Sequence, residues 1–148
     1  MTTARRMPGI IGAMCNGLPA FPEPPTNRPL PMVLLEHCVS GTEVHLDWMI
    51  ARSSEGPLAS WRIGAWPDPG QVIHGLEPMA DHDRRWLTYQ GVVSRGRGQA
   101  MQLDTGLLLA QEAVDGGWSL DLRWRGSGPQ QVLLSPSAGG WSLGRVAR

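Results

Sequence analysis

Glu43-Val44-His45-Leu46-Asp47-Trp48-Met49-Ile50 alternates without a break, with Val44, Leu46, Trp48 and Ile50 on one face and Glu43, His45, Asp47 and Met49 on the other. A period of two is the signature of a half-buried β-strand. Trp118 to Arg125 repeats the pattern, setting Trp118, Leu120, Leu122 and Trp124 against Ser119, Asp121, Arg123 and Arg125. Around these two lie weaker strand candidates: Met32 to His37, Leu58 to Ile63, Val72 to Leu76, Trp86 to Val93, Gln99 to Asp104, Leu107 to Glu112, Gln130 to Leu134 and Trp141 to Val146. Glycine, proline and Asp-Gly clusters separate them, and no segment sustains a capped helical period. The expected fold is mainly β, a small closed or nearly closed barrel of about eight strands with little helix, since closure removes exposed strand edges. Six of the seven tryptophans fall within or beside these candidates and Trp66 just after one, so most are expected in the core.

The 148 residues carry 13 basic and 13 acidic side chains, which suits one folded domain and excludes a polybasic coat for nucleic acid. Every basic residue is arginine. With no lysine there is no Schiff base, no lysyl-nucleotide intermediate and no P-loop lysine, so any phosphate must be held by arginine, histidine, a metal or backbone N–H groups. The charge is uneven: residues 118–148 hold four arginines against the single Asp121. Residues 1–31 hold seven of the 13 prolines and a net charge of +2, and are expected to form a Pro-rich flexible leader ahead of a domain spanning 32–148. No apolar run reaches the roughly 20 residues that span a bilayer. Cys15 and Cys38 belong to no C-x-x-C pair, so a reduced, cytoplasmic protein is expected.

The chemistry concentrates between residues 37 and 82, which contain all four histidines. His45 and Asp47 sit two apart on a strand and therefore project from one face, and His37 ends the preceding strand candidate within hairpin reach of them. Two imidazoles and a carboxylate with open positions suit a divalent metal that must also bind a substrate oxygen. Cys38 follows His37 directly, and alternation sends it to the opposite face as a structural thiol. Gly96 and Gly98 read as turn residues, because no helix pattern follows them as a phosphate-binding loop requires.

A set of blocks then comes in order: Glu36-His37; His45-Leu46-Asp47-Trp48; Gly56-Pro57-Leu58-Ala59-Ser60-Trp61; Asp81-His82 followed by Tyr89-Gln90-Gly91; Gly96-Arg97-Gly98; and Leu103-Asp104-Thr105-Gly106. In this the chain resembles the 3'-phosphoesterase domain of bacterial DNA ligase D, across about residues 32–146, as a divergent stand-alone member. The resemblance implies a small β-barrel holding one divalent metal, Mn2+ first, with Zn2+ or Co2+ as alternatives. It implies removal of a 3'-phosphate or 3'-ribonucleotide from DNA to leave a 3'-hydroxyl. It assigns His37, His45 and Asp47 to the metal and His82 to the scissile phosphate or the leaving oxygen. His74, Arg84, Arg97 and Trp86 are the candidate substrate-binding residues, with Arg62, Arg85 and Arg95 as further cations. The implied partners are DNA 3' ends and a separately encoded DNA ligase or end-joining factor, with no membrane and a monomeric state.

The chain also departs from that pattern. Met49 stands where the family has arginine two residues after the metal-binding aspartate, and Trp86 stands in place of its tyrosine. The lysine after the Ser-Trp block is missing. Restoring an arginine at position 49 is therefore expected to raise turnover, and one of Asp81 and Asp83 is expected to orient the ring of His82. The alternative reading is a catalytically inactive barrel that binds DNA ends or a repair protein. A cupin-like metal barrel is a third, though its glycine-spaced His-x-His signature is absent.

Overall fold

The structure, a computed structural model, describes residues 29–39, 43–93 and 96–147. Most of the expected leader, Cys15 and Arg95 lie outside them. Nine antiparallel strands follow in chain order: β1 (Leu30–Val39), β2 (Glu43–Ala51), β3 (Leu58–Ile63), β4 (Val72–His82), β5 (Gly91–Val92), β6 (Gln99–Val114), β7 (Gly117–Trp124), β8 (Gly128–Ser137) and β9 (Gly140–Arg145). Their order in the sheet is β1-β2-β3-β4-β9-β8-β7-β6-β5, and β1 also pairs with β6. Eight strands thus form a ring, a nearly closed barrel, with the short β5 added on the free edge of β6. The mainly β fold expected from the alternation is the one observed.

Register explains which residues fill it. Along the hairpins, Leu34 faces Trp48 and Trp48 faces Trp61, while Leu122 pairs with Leu108. These residues point inward and are almost wholly buried. Trp66 stands edge-on to both Trp48 and Trp124, at ring centroid distances of 5.1 and 5.2 Å, and its Nε1–H donates to Gln130 Oε1 at 2.9 Å. Tryptophans that alternation placed in the core therefore meet across the barrel, and edge-to-face pairs of this kind add about 0.5–1.5 kcal/mol beyond area burial.

Two strand expectations change. Trp86 to Val93 is a 3-10 helix (Arg84–Leu87) followed by the two residues of β5. The Asp83 side chain caps that helix by accepting from Arg85 N–H at 2.9 Å, a local hydrogen bond that outcompetes a ladder for residues of good β-propensity. Gln99 to Asp104 and Leu107 to Glu112 are one strand of 16 residues. Thr105-Gly106 reads as a break, but Gly106 is there for close approach: a Cβ on it would lie 2.5 Å from the carbonyl oxygen of Arg123. The Asp104 carboxylate ties this point down, accepting from the backbone N–H groups of Thr105 and Gly126 at 2.8 and 3.0 Å.

The side of β1, β2 and β3 that points away from the ring is buried too. Val33, Leu35, Met49, Ala51, Leu58 and Ser60 have this outward parity, and each is at most 3% exposed. The 3-10 helix packs against β1 and β2, bringing Trp86 and Leu87 onto the core cluster. Two-sided burial makes this sheet a floor on which a site can be held rigidly.

Candidate metal centre

His37 and His45 are cross-strand partners on β1 and β2, and Asp47 is the outward neighbour of His45 two residues along. The hairpin thus does what the spacing promised. His37 Nδ1 lies 3.1 Å from His45 Nε2, and Asp47 Oδ2 lies 3.8 Å from His37 Nδ1 and 3.7 Å from His45 Nε2. All three ligand atoms fall within 4.8 Å of one another, the only such group of three or more His, Cys, Asp or Glu among the described residues. Two ligand atoms each about 2.1 Å from one ion sit about 3.0–3.4 Å apart in octahedral or tetrahedral geometry. The observed spacings need to contract by only a few tenths of an ångström, so the donors fit a divalent ion.

The surroundings of the triad decide its protonation. His37 Nε2–H donates to the backbone carbonyl of Arg97 at 2.7 Å, which leaves the Nδ1 lone pair facing the other two donors. A ligand histidine whose far nitrogen is held by a carbonyl is the usual way a protein fixes the metal-binding tautomer. Asp47 is 5% exposed, and its second oxygen, Oδ1, receives Arg62 Nε–H at 3.4 Å from the paired position on β3. Oδ2 thus stays turned to the histidines.

His45 titrates below its ordinary value near 6.5, chiefly because burial penalises the charged ring. The Asp47 carboxylate opposes this, while Arg62 and His37 reinforce it. The imidazole is consequently neutral and ligand-competent at neutral pH. For stability the sign is fixed. The unfolded chain takes up this proton near pH 6.5 and the folded chain only lower. The group's contribution is therefore complete above 6.5 and is lost as pH falls toward the lowered value. Urea midpoints of the metal-free protein should rise between pH 5 and pH 7, and by less in His45→Gln. Equal slopes in the two proteins would refute the assignment.

Gly98 is what lets the Arg97 carbonyl reach His37. It has φ +87°, and a Cβ placed on it would lie 1.9 Å from the carbonyl oxygen of Cys38. Both conditions exclude a side chain. Gly98→Ala is expected to push the loop off β1, loosen His37, and weaken metal binding about 10- to 100-fold, the usual effect of losing a partner behind a ligand. Calorimetric titration with Mn2+ checks this, and unchanged affinity would show that the Arg97 carbonyl has no part in it.

The other candidates occupy varied places. His82 lies on the same outward side, paired with Leu58 and so level with Ala51. That is four residues along β2 from Asp47, or about 13 Å of strand at about 3.3 Å per residue. Its Nδ1 is buried with no hydrogen-bond partner among the described residues. Neither flanking carboxylate orients it: Asp81 takes a bidentate pair from Arg52 at 2.8 and 2.9 Å, and Asp83 caps the 3-10 helix. His74 is engaged elsewhere, its Nδ1 2.8 Å from Ser142 Oγ on β9. The Arg84 guanidinium donates to the carbonyls of Ser53 and Gly56, clamping the turn between β2 and β3. Trp86 stands edge-on to Tyr89 at 5.2 Å, and the Arg85 guanidinium lies over both rings. Cys38 is half-buried and of opposite parity to His37, as alternation implied. Sequence reading named Arg62 and Arg97 as cations for a phosphate but missed what each does beside the triad: a backbone carbonyl carries no residue signature, and Arg62 becomes a neighbour of Asp47 only through the β2–β3 register.

No protein-family model and no curated protein matches this chain by sequence. No helix among the described residues is long and apolar enough to cross a membrane.

Proposed function

We propose that the chain is a divalent-metal-dependent phosphoesterase acting on DNA 3' ends, hydrolysing a 3'-phosphate or a terminal 3'-ribonucleotide to leave a 3'-hydroxyl, with Mn2+ as the metal. The observation that carries this reading is the triad itself, two imidazoles and a buried carboxylate on the outward side of the barrel, with Arg62 fixed beside it. The ordered blocks shared with the 3'-phosphoesterase domain of bacterial DNA ligase D supply the substrate class.

His37, His45 and Asp47 would hold the ion, which when bound supplies charge neutralisation at phosphoryl oxygens and acidifies water near neutral pH. The protein's own part is positional. The Arg97 carbonyl and the Arg62 guanidinium keep the donors aimed, and Arg62, with a side chain 36% exposed, presents its remaining N–H groups to solvent where an oxyanion can accept them. The resemblance gives His82 the leaving oxygen, but at about 13 Å of strand from Asp47, with its Nδ1 buried, it is too far to pass a proton to an oxygen held at the triad.

The test is incubation of the full chain with Mn2+ and a primer-template ending in a 3'-phosphate or one 3'-ribonucleotide. Release of inorganic phosphate from the first substrate, and of the nucleoside and then of the phosphate it leaves behind from the second, lost on chelation, supports the reading, and metal binding without release overturns it. A second reading, a barrel that binds DNA ends without turnover, is favoured by one observation. Met49, at the position of the family's arginine, is 2% exposed and belongs to the apolar core cluster, so no cation is presented there.

A further inference from the structure

A second outward feature lies at the far end of β1 from the triad. A groove of about 700 Å³ is lined by Pro31, Leu107, Thr88, Thr105, Arg123 and Arg125, with other residues at its floor. Pro31, Leu107 and Arg123 are register partners across β1, β6 and β7, and Pro31 shares its parity with His37. Both arginines are exposed, and among the described residues neither guanidinium has an ion-pair partner. The nearby carboxylates are not paired with them: Asp104 accepts from the N–H groups of Thr105 and Gly126, and exposed Asp121 makes no ion pair among the described residues. Two exposed guanidinium forks with no carboxylate paired to them, beside two threonine hydroxyls and an apolar wall, form a surface suited to phosphodiesters and sugars. The residues 1–28 that lead into β1 are a poor match for it, since they too carry net positive charge.

Pro31 and His37 are six residues apart on β1, about 20 Å at about 3.3 Å per residue. That is about six nucleotides of a B-form strand at about 3.4 Å each, and fewer of an extended one. We propose that Arg123 and Arg125 bind the phosphodiester backbone of a nucleic-acid strand several nucleotides upstream of the end held at the triad. The placement of that end rests on the phosphoesterase reading, but the groove's affinity for a strand does not. Exposed Tyr89, with Arg85 stacked on it, lies on the segment that covers the floor between the two places.

Binding is read without turnover by fluorescence anisotropy of a 5'-labelled 12-nucleotide single-stranded DNA with a 3'-hydroxyl, in EDTA, across a NaCl series. The wild-type chain and His45→Ala should bind alike. Arg123→Ala/Arg125→Ala should bind at least tenfold more weakly, with the slope of log K against log salt shallower by about 1.4, which is about 0.7 for each lost phosphate contact on a single strand. Arg123→Lys/Arg125→Lys should keep most of that slope, which separates lost charge from lost fold. In the Mn2+ assay the alanine pair should raise KM for a 12-nucleotide 3'-phosphate substrate while leaving a dinucleotide 3'-phosphate unchanged. Equal affinity and slope in wild type and the alanine pair would overturn the proposal. So would displacement of the DNA by hexaglutamate at equal charge, which would make the groove a site for acidic peptide. If DNA binding behaves as expected and no substrate is turned over, the groove stands and the phosphoesterase reading falls.

Discussion

His45→Ala is expected to abolish stoichiometric Mn2+ binding and, with it, the stabilisation that the ion gives the wild-type chain. His45 supplies one of three donors and stands close to both others, 3.1 Å from His37 and 3.7 Å from Asp47. Losing a direct ligand weakens a site by at least the roughly hundredfold that removing a supporting group can produce. Metal that binds only the folded state contributes RT ln(1 + [L]/Kd), about 2.7 kcal/mol at a hundredfold excess over Kd. For a domain of this size that is a rise of several degrees in Tm, about 8 °C. The wild type should show this rise on adding Mn2+, and His45→Ala should show almost none. Equal metal content in both, measured after gel filtration, would mean that the triad is not the site.

Met49→Arg is expected to destabilise the protein by about 3 kcal/mol, a fall of about 10 °C in Tm, and not to raise turnover. From the sequence the opposite followed: Met49 shares the face of His45 and Asp47, and an arginine there would add a phosphate contact. The face is as read, but the register puts Met49 between Val33 and Ser60, and it is 2% exposed. A guanidinium at that point must either be buried without a partner or push away the 3-10 helix that packs on β1 and β2. The cation that does stand beside Asp47 is Arg62, from the neighbouring strand. If Met49→Arg melted at the wild-type temperature and released phosphate faster, the helix must yield easily and the arrangement implied by the resemblance would be recoverable by one substitution.

The two substitutions divide what the chain makes legible. Alternation in Glu43 to Ile50 and Trp118 to Arg125 determined the mainly β class, the inward tryptophans and the shared face of His45 and Asp47, because a strand's period of two is set by backbone geometry alone. It determined His37 as a partner only in outline, since the hairpin register is a pairing between strands. The tertiary structure decided everything that depends on what lies opposite or above a residue. The side chain of Arg62, the carbonyl of Arg97 and the cover over Met49 come from other strands, a loop and a capped 3-10 helix. Asp81 and Asp83, read as orienting His82, and Arg84 and His74, read as holding a substrate, are held by Arg52, a helix cap, a turn and Ser142. Which partner a polar group finds depends on the register and on close approaches such as that at Gly98. A local pattern fixes the face on which a side chain stands, and the packing of distant segments decides whether that face meets water, an ion or another part of the chain.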